Sequence, residues 1–566
     1  MKANFKPLGL VAAVAAVSAG YTGVAGAQVT ERAIGNLGDL AIIPYYTVQD
    51  DWVTGVHIIN SSALTQVVKL RLRRASDSAD ALDFNLIMSP QDEWTGFIDD
   101  SSGQVVFATD DTTCTAPIRA DGNFPMPPIY AAGAEEGYIE VIGMGSPDPS
   151  ITNAFGDEGS AIAIAAKHAD GVPVNCSGVA SNFFANAGAS PFGRGTLSNS
   201  LTHQTVTAAE AEVATANGQD CYTAAGAGPM VSPNFSAGVC QNNYVSGSDS
   251  LKVSYFFRDA ASGIEFGGDA VHLTGFSAEA WMTNQETGLF SGDVFGFDFP
   301  DLDGGPWVQA ANPIELRGKY NDLRDGGVLG VASVLNDWST ASSRNVSTDW
   351  VLTMPGQYAM LDLFVWLQTG FGATCGRAGI EATGVTPVPE CDFRDLPVQL
   401  APTAYDREEF TPTPEDGDLV ISPAPPGTTT RIILPNEVNV LEWTDGVNTA
   451  VLGSEYNTVI NASAIGESGW AIGSVSSLNT NPRSVCQLNG TVDVVPGTGV
   501  TGVPAVFTAG GPGYQRSGVC IPATGNVPVV GFVAWERSFP QNPEGNYGRL
   551  IDHSFIAGTA STAALD

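Results

Sequence analysis

The sequence predicts a mainly β protein, an Ig-like or jelly-roll β-sandwich arrangement with a loop-rich, partly helical insertion. Three observations predict it. Short runs in which apolar and polar residues alternate occur along much of the chain, as in strands with one buried face. Turns rich in Ser, Asn, Gly and Pro separate these runs at the short spacing that is typical of sandwiches. The chain also holds 65 glycines and 35 prolines, a share above the usual one that indicates many turns.

The first element, residues 1–27, is predicted to be a secretory signal peptide. Lys2 and Lys6 give a basic start, an apolar run covers residues 8–19, and Ala25-Gly26-Ala27 forms a cleavage signal before Gln28. Such a segment is too short to read as a membrane span. We therefore expect an exported protein, at the cell surface or extracellular, with the periplasm as the remaining location. No later apolar run reaches the length of about 18 residues that a transmembrane helix needs, so no membrane span is expected in the mature chain.

The first β region, residues 28–145, shows the clearest alternation. Residues 68–73 read Val-Lys-Leu-Arg-Leu-Arg, with every second side chain apolar, which predicts an antiparallel strand with one polar face. Comparable patterns predict the strands 40–46, 52–59, 68–73, 82–88, 93–98, 105–109 and 137–143.

The pattern changes over residues 146–248, which are predicted to form a disulfide-stapled insertion of loops and short helices. Alanine-rich segments at 160–168 and 205–217 predict the helices, since alanine has the highest helix propensity. A Gly-, Asn- and Ser-rich stretch at 180–200 lies between them.

Two further β regions follow, at 249–400 and 401–566. In the first we expect one helix at 321–335, where Val328, Val331, Ala332 and Leu335 would form an apolar stripe. A proline-rich stretch at 399–428 marks the boundary between the two regions. Alternating or apolar runs predict the strands 251–257, 269–275, 351–354, 358–366, 431–434, 438–443, 470–475 and 529–535.

The eight cysteines are predicted to form disulfides, because their number is even and the predicted compartment is oxidising. No C-x-x-C motif occurs, so a zinc ribbon or thioredoxin-type site is not supported. Short loops lose least entropy on closing, which favours sequential pairing among the alternatives. The expected pairs are Cys114–Cys176, Cys221–Cys240, Cys375–Cys391 and Cys486–Cys520.

The charge of the chain is strongly one-sided, with 60 acidic against 24 basic residues and a formal net charge of −36. A field of this sign repels nucleic acid, so no nucleic-acid partner is expected. Against that background Lys69, Arg71 and Arg73 are unusual, because alternation places all three on one face of a strand. They predict a docking site for an anionic surface glycan or for carboxylates of another surface protein. Pairing with Asp83 or Asp80 across the sheet is the alternative interpretation.

No cofactor is identified from the sequence, but a structural calcium ion is one interpretation of an acidic loop. Asp301 and Asp303 precede two glycines, and hard carboxylate oxygens gathered around a turn suit Ca²⁺. The later acidic ligand of an EF-hand is missing, and a solvated acidic loop is the alternative.

Catalytic motifs are not found. None of the five histidines belongs to an H-E-x-x-H sequence, and no G-x-S-x-G, P-loop or dinucleotide-binding fingerprint occurs. Asp552-His553-Ser554 holds three triad residue types in a row, but triads are assembled in space.

Glycoside hydrolysis is not excluded by the sequence, because a chain with so many acidic residues could supply the pair of carboxylates that this reaction needs. Trp94, Trp307 and Trp338 lie near predicted loops and are candidates for stacking on sugars, with core packing as the alternative.

Several blocks resemble a family of uncharacterised secreted or cell-surface proteins of Gram-negative bacteria. The resemblance extends over most of the mature chain and implies a location but no activity. Its blocks are Gly38-Asp39-Leu40, Tyr45-Tyr46-Thr47-Val48, His57-Ile58-Ile59-Asn60, Asp83-Phe84-Asn85-Leu86, Ser89-Pro90, Glu93-Trp94-Thr95-Gly96, Thr348-Asp349-Trp350-Val351 with Pro355, Trp535-Glu536-Arg537 and Asn546-Tyr547-Gly548-Arg549.

From these observations we expect a secreted or cell-surface protein of structural or adhesive type, and they favour a non-enzymatic role over a catalytic one. The alternative is a secreted carbohydrate-active enzyme or a glycan-binding module. The two classes differ in one feature of the fold, since an enzyme of this kind needs a cleft with two carboxylates roughly 5–9.5 Å apart.

Overall fold

Strands dominate the molecule. They make up 56% of the residues that the structure, a computed structural model, describes, and helices make up 6%, which confirms the prediction of a mainly β sandwich. The described residues are 30–76, 78, 80–126, 131–149, 161–181, 244–259, 261–277, 280, 300–302, 323–324, 328–356, 398–408, 431–477, 485–486, 520–521, 526–539 and 541–557.

The N-terminal sandwich consists of two largely antiparallel sheets, A and B. Sheet A runs in the order β1 (Glu31–Arg32), β16 (Val271–Thr274), β2 (Leu40–Thr47), β10 (Glu136–Pro147), β4 (Gln66–Arg74), β5 (Asp80–Met88) and β8 (Cys114–Ala116), with β13 (Tyr244–Val245) on β10. Sheet B runs in the order β15 (Glu265–Asp269), β14 (Leu251–Asp259), β3 (Trp52–Asn60), β6 (Glu93–Asp99), β7 (Val106–Ala108) and β9 (Asn123–Pro125).

The core of this sandwich follows directly from the alternation of β4 and β5. Leu70 and Phe84 are cross-strand partners and both are fully buried. Phe84 stacks on Phe124 of sheet B with ring centroids 4.3 Å apart and meets Phe107 edge-on at 5.7 Å. Burial of these rings removes large apolar areas from water, which is the main stabilising contribution at this position.

The C-terminal sandwich consists of sheets C and D. Sheet C runs in the order β20 (Ile432–Leu434), β19 (Val398–Asp406), β23 (Ser468–Ser477), β17 (Gly330–Ser339) and β26 (Val527–Pro528), with β29 (Ser554–Ala557) on β17. Sheet D runs in the order β22 (Asn457–Asn461), β21 (Val438–Thr444), β18 (Val346–Thr353), β27 (Val530–Arg537) and β28 (Tyr547–Asp552). Between the sheets Trp338 stacks on Trp443 with centroids 5.2 Å apart.

The central strands of sheet D, β21, β18 and most of β27, are largely buried on both faces and join the two sandwiches. Trp350 belongs to the C-terminal core, whereas the next residue, Val351, belongs to the N-terminal core. Phe532 of β27 likewise contacts Tyr255 and Phe257 of β14, at 6.0 and 5.9 Å between centroids. This two-sided burial explains why the first part of β27, residues 530–535, is a nearly continuous apolar run.

A buried carboxylate strengthens the same junction. Glu136 on β10 accepts hydrogen bonds from the hydroxyls of Tyr45 and Ser454 and, at 2.8 Å, from the backbone amide of Glu455. Burial raises the pKa of Glu136 above its usual value. The hydrogen bonds therefore offset part of the cost of enclosing this group.

The insertion contributes little helix. It holds α1 (Ala161–Ala166), the hairpin β11 (His168–Ala169) and β12 (Val172–Pro173), and α2 (Cys176–Ser181). The predicted helix at 160–168 is confirmed by α1, and the predicted Cys114–Cys176 bond ties α2 to β8. The helix predicted at 205–217 lies outside the described residues.

The remaining disulfide predictions are not tested. Cys221, Cys240, Cys375 and Cys391 lie outside the described residues. The short strands β24 (Val485–Cys486) and β25 (Cys520–Ile521) pair in a register that sets Cys486 opposite Cys520, a position compatible with the expected pair. That bond stays a prediction.

The predicted helix at 321–335 is wrong over residues 330–335. These residues form the first half of β17, where Val334 and Leu335 pair with Gly473 and Ile472 of β23. The positions Val328, Val331, Ala332 and Leu335 fit a helical stripe in the sequence, but pairing with β23 and β29 on both sides decides the outcome. Of the residues described in this stretch, Leu323 and Arg324 are helical.

Two further predictions concern segments that the structure does not describe. The signal peptide at 1–27 and the strand at 358–366 lie outside the described residues. Within the described part of the chain, no helix combines the length and apolar character that crossing a bilayer requires.

Candidate ligand-binding cleft

The basic strand β4 is buried by its partners. Lys69, Arg71 and Arg73 are at most 1% exposed. Arg71 lies 2.6 Å and Arg73 2.7 Å from the carboxylate of Asp80, and Lys69 Nζ lies 3.7 Å from Asp83. Cross-strand pairing with Asp80 and Asp83, the alternative interpretation of this strand, is therefore confirmed. A further contact, from Arg71 Nη1 to the carbonyl of Pro300 at 3.0 Å, covers the group from outside the sheet. These three cations present almost no surface to a ligand.

The acidic loop does not gather ligands in the described structure. Asp301 is buried, and Asp303 lies outside the described residues. Among the residues that are described, no group of three or more His, Cys, Asp or Glu side chains could hold a metal ion. The calcium site stays a prediction.

The three tryptophans proposed for sugar stacking do not form an exposed platform. Trp94 and Trp338 are buried in the cores of the two sandwiches, with exposures of 0% and 1%, which confirms core packing for both. Trp307 lies outside the described residues.

A Ser-His-Asp group near the insertion has the wrong geometry for a triad. Ser89 Oγ lies 3.1 Å and Asp92 Oδ2 3.8 Å from the same nitrogen, Nδ1 of His168. A relay needs the hydroxyl and the carboxylate on opposite ring nitrogens. Thr112 Oγ1 lies 3.2 Å from the opposite nitrogen, Nε2, but it also donates to the carbonyl of Gly171 at 3.1 Å, and Asp92 at 3.8 Å is too far from Nδ1 for a hydrogen bond. The imidazole therefore fastens the β11–β12 hairpin to the N-terminal sandwich.

His553 is a structural residue, so Asp552-His553-Ser554 is no triad either. Its ring lies between the carbonyl of Val351, 3.0 Å from Nε2, and the amide of Asn336, 3.1 Å from Nδ1. Burial lowers the pKa of His553 to about 4, so the ring is neutral at ordinary pH.

A cleft of about 530 Å³ opens in the C-terminal sandwich, within the size range of small-molecule sites. Residues of β17, β18, β19, β23, β27 and β28 line it, together with residues just beyond β17 and β19. We call it the Trp-Arg cleft. Its aromatic and charged lining residues are Trp338, Trp470, Trp535, Asp337, Asp406, Arg344, Arg407, Arg537 and Arg549.

The aromatic part of the Trp-Arg cleft is built by cross-strand pairing. Trp470 of β23 pairs with Tyr405 of β19, and the two rings stack with centroids 4.5 Å apart and planes 15° apart. Trp470 is 42% exposed. Since Tyr405 covers one face of this ring, the opposite face is the one available for a planar or ring-shaped ligand. Trp535 lies on the other sheet, under the guanidinium of Arg549 at 4.9 Å.

The charged part is dominated by arginine. Arg549 lies 3.4 Å from Asp337, and the guanidinium of Arg537 lies 4.9 Å from the ring centre of Phe539. Arg344 and Arg407 are exposed, and neither forms an ion pair with another described residue. An exposed guanidinium keeps its planar fork of donors available for an oxyanion.

Three polar atoms of the cleft residues are buried without a hydrogen-bond partner among the described residues. They are Asp337 Oδ1, Trp338 Nε1 and Arg537 Nε. Buried polar atoms are nearly always satisfied in folded proteins, so each of these three atoms has capacity for one further hydrogen bond. Burial also raises the pKa of Asp337 above its usual value, against the opposing effect of Arg549.

The two acids of the cleft do not face each other. Asp337 and Tyr405 lie in one cross-strand row with Trp470 between them, and Asp406 belongs to the next row. Because successive strand residues point to opposite faces of a sheet, Asp337 and Asp406 leave sheet C on opposite faces. This differs from the facing carboxylates of glycoside hydrolases.

Sequence reasoning missed the cleft because its residues are scattered. Trp470 and Trp535 were each recognisable only as a terminal residue of a predicted strand, and the four arginines lie on separate segments. A tryptophan at a polar position of an alternating run was the one available signal, since such a ring is exposed unless something covers it.

No protein-family model, curated protein or solved structure matches this chain.

Proposed function

We propose that this chain is an exported protein of adhesive type that binds glycans in its Trp-Arg cleft. The observation that carries the proposal is the half-exposed ring of Trp470, backed by Tyr405, beside a group of arginines. The signal-peptide pattern and the resemblance to secreted or cell-surface proteins support the location, which stays a proposal of its own.

Glycans suit this cleft because a sugar ring has two kinds of surface. Its C–H face is apolar and packs on aromatic rings, while its hydroxyl rim needs hydrogen-bond donors and acceptors. Trp470 supplies the aromatic surface. Arg344 and Arg407 supply exposed polar groups in the same cleft.

Hydrolysis is the second candidate, because the raised pKa of Asp337 is a property of general acids. The orientation of Asp406 argues against it, as no second carboxylate faces Asp337 across the cleft. Incubating the protein with the glycans that it binds and measuring new reducing ends would decide between the two. Released reducing ends that disappear in the Asp337→Asn variant would replace the binding proposal with a hydrolase.

The binding test uses the mature protein on a glycan array, followed by affinity electrophoresis with the strongest glycans. We expect Trp470→Ala to weaken binding by about tenfold or more, because a lost ring contact corresponds to roughly 1.5 kcal/mol. Phe97→Ala is the matched control, since Phe97 is also about 40% exposed but lies on sheet B. Equal affinity of the Trp470→Ala variant and the native protein would refute the proposed site.

The location has a separate test. External protease on intact cells should digest the native protein if it lies at the surface. Protection from protease, together with recovery in the periplasmic fraction, would contradict the adhesive interpretation while leaving glycan binding open to its own assay.

A further inference from the structure

We propose that the Trp-Arg cleft selects saccharides whose rings carry an oxyanion, a carboxylate or a sulfate, over neutral ones. This inference rests on the proposed glycan binding and names the class of ligand. The lining of the cleft holds four arginines but only two aspartates.

That local excess of positive charge is opposite to the charge of the whole chain. The protein carries 24 basic and 60 acidic residues, so a patch chosen at random would be acidic. Like charges gathered in one cleft repel each other. An anionic ligand removes that repulsion, whereas a neutral sugar gains nothing from it.

The arginines differ in how much of their binding capacity is already used. Arg549 is held by Asp337 at 3.4 Å and Arg537 packs over Phe539. Arg344, just after β17, and Arg407, just after β19, are exposed and make no ion pair with any described residue. Two guanidinium forks on neighbouring loops can grip carboxylate or sulfate oxygens with paired hydrogen bonds.

Because Arg344 and Arg407 line the same cleft as Trp470, an anionic saccharide fits the cleft better than a free anion does. A free anion needs only the guanidinium groups. A ring with both a C–H face and an oxyanion would use Trp470 and the arginines together, so removal of either should weaken binding.

The experiment compares matched pairs of polymers by affinity electrophoresis and calorimetry in buffer of physiological ionic strength. The carboxylate arm is polygalacturonate against its methyl-esterified form, and the sulfate arm is dextran sulfate against dextran. The proteins are the native chain, Trp470→Ala, the double variant Arg344→Gln/Arg407→Gln, and Arg258→Gln, an exposed arginine of β14 that serves as the charge control.

We expect at least one charged polymer to bind about tenfold more tightly than its neutral partner, as hydrogen bonds to charged groups predict. The double variant should lose that preference, while Arg258→Gln should keep it. The arm that shows the preference identifies the oxyanion.

Two results would overturn the inference in distinguishable ways. Equal binding of charged and neutral polymers, still sensitive to Trp470→Ala, would refute the anionic preference and leave glycan binding intact. Binding of neither class, or binding insensitive to Trp470→Ala, would refute the proposed function itself. Far-ultraviolet circular dichroism of each variant shows whether its strands are retained.

Discussion

The two sandwiches each contain a group of cations, and they use them differently. In the N-terminal sandwich Lys69, Arg71 and Arg73 are buried and held by carboxylates within the same sheet. In the C-terminal sandwich Arg344 and Arg407 are exposed at a cleft and are not ion-paired with any other described residue. The first group lies within one strand, β4, and the second is spread over separate segments of the chain.

A local excess of basic residues in a sequence therefore does not identify a binding surface. Alternation put the three cations of β4 on one face, but that face lies inside the protein, where its partners satisfy them. Binding capacity remains where guanidinium groups meet an aromatic surface without enough carboxylates to neutralise them. The following predictions test this division.

The largest effect is expected from breaking the buried group. Asp80→Ala removes the carboxylate that lies 2.6 Å from Arg71 and 2.7 Å from Arg73, leaving buried cations with fewer partners. We expect the free energy of unfolding to fall by about 3–5 kcal/mol, measured by urea denaturation. The control is Asp121→Ala, which removes an ion pair with Arg119. The side chain of Asp121 is 62% exposed, so this variant should lose less than about 1 kcal/mol of unfolding free energy. Similar losses in the two variants would contradict the assignment of a structural role.

A smaller loss is expected at the junction of the sandwiches. Glu136→Ala leaves the buried hydroxyls of Tyr45 and Ser454 without their acceptor, which should cost about 2–3 kcal/mol. Calorimetry should then show the two sandwiches separating into distinct transitions. Glu455→Ala is the control, because Glu455 is exposed and contributes only its backbone amide. A single unshifted transition for Glu136→Ala would show that the junction does not depend on this residue.

The pH dependence of stability should report a buried acid in sheet D. Burial raises the pKa of Asp349 from 3.8 to about 8, although the amides of Val451 and Leu452 donate to it. Because the folded state holds this proton more tightly, the resulting stabilisation is complete below about pH 4. It falls as the pH rises and is lost above about pH 8.

Asp349→Asn stays neutral, so its melting temperature relative to the native protein should rise steadily from pH 4 to pH 8. The comparison variant is Asp39→Asn. Burial raises the pKa of Asp39 only to about 6. The melting temperature of Asp39→Asn relative to the native protein should therefore stop rising near pH 6. A constant difference between native protein and Asp349→Asn across this range would exclude an abnormal pKa at Asp349.

The smallest effect on stability is expected at the cleft. Arg344→Gln removes an exposed charge and should change the free energy of unfolding by less than about 0.5 kcal/mol, measured by the same urea titration. Its effect should appear only in ligand binding. A loss as large as that of Asp80→Ala would mean that both groups of cations are structural, and the division between the sandwiches would fail.

Much of the fold could be predicted from the sequence because alternation is a local property. The strands around Leu70 and Phe84 follow directly from every second residue being apolar. The stretch 330–335 could not be assigned correctly, because its apolar spacing fits a helix as well, and only pairing with β23 distinguishes the two. The Trp-Arg cleft depends on register between distant strands, such as Trp470 beside Asp337, which no local pattern contains.

The position of β27 has a consequence for the order in which the protein is built. This strand begins at Val530 but lies between β28 and β18, whose last residue is Thr353. A nascent chain emerges in order, so sheet D lacks β27 and β28, and one edge of β18 stays open, until β27 has been synthesised, whereas every strand of sheets A and B is complete by Thr274. The N-terminal sandwich can therefore form early, while the open edge of β18 must be kept from pairing with other chains during the wait. Because β27 and β28 supply Trp535, Arg537 and Arg549, the Trp-Arg cleft is completed only after these two strands have been synthesised.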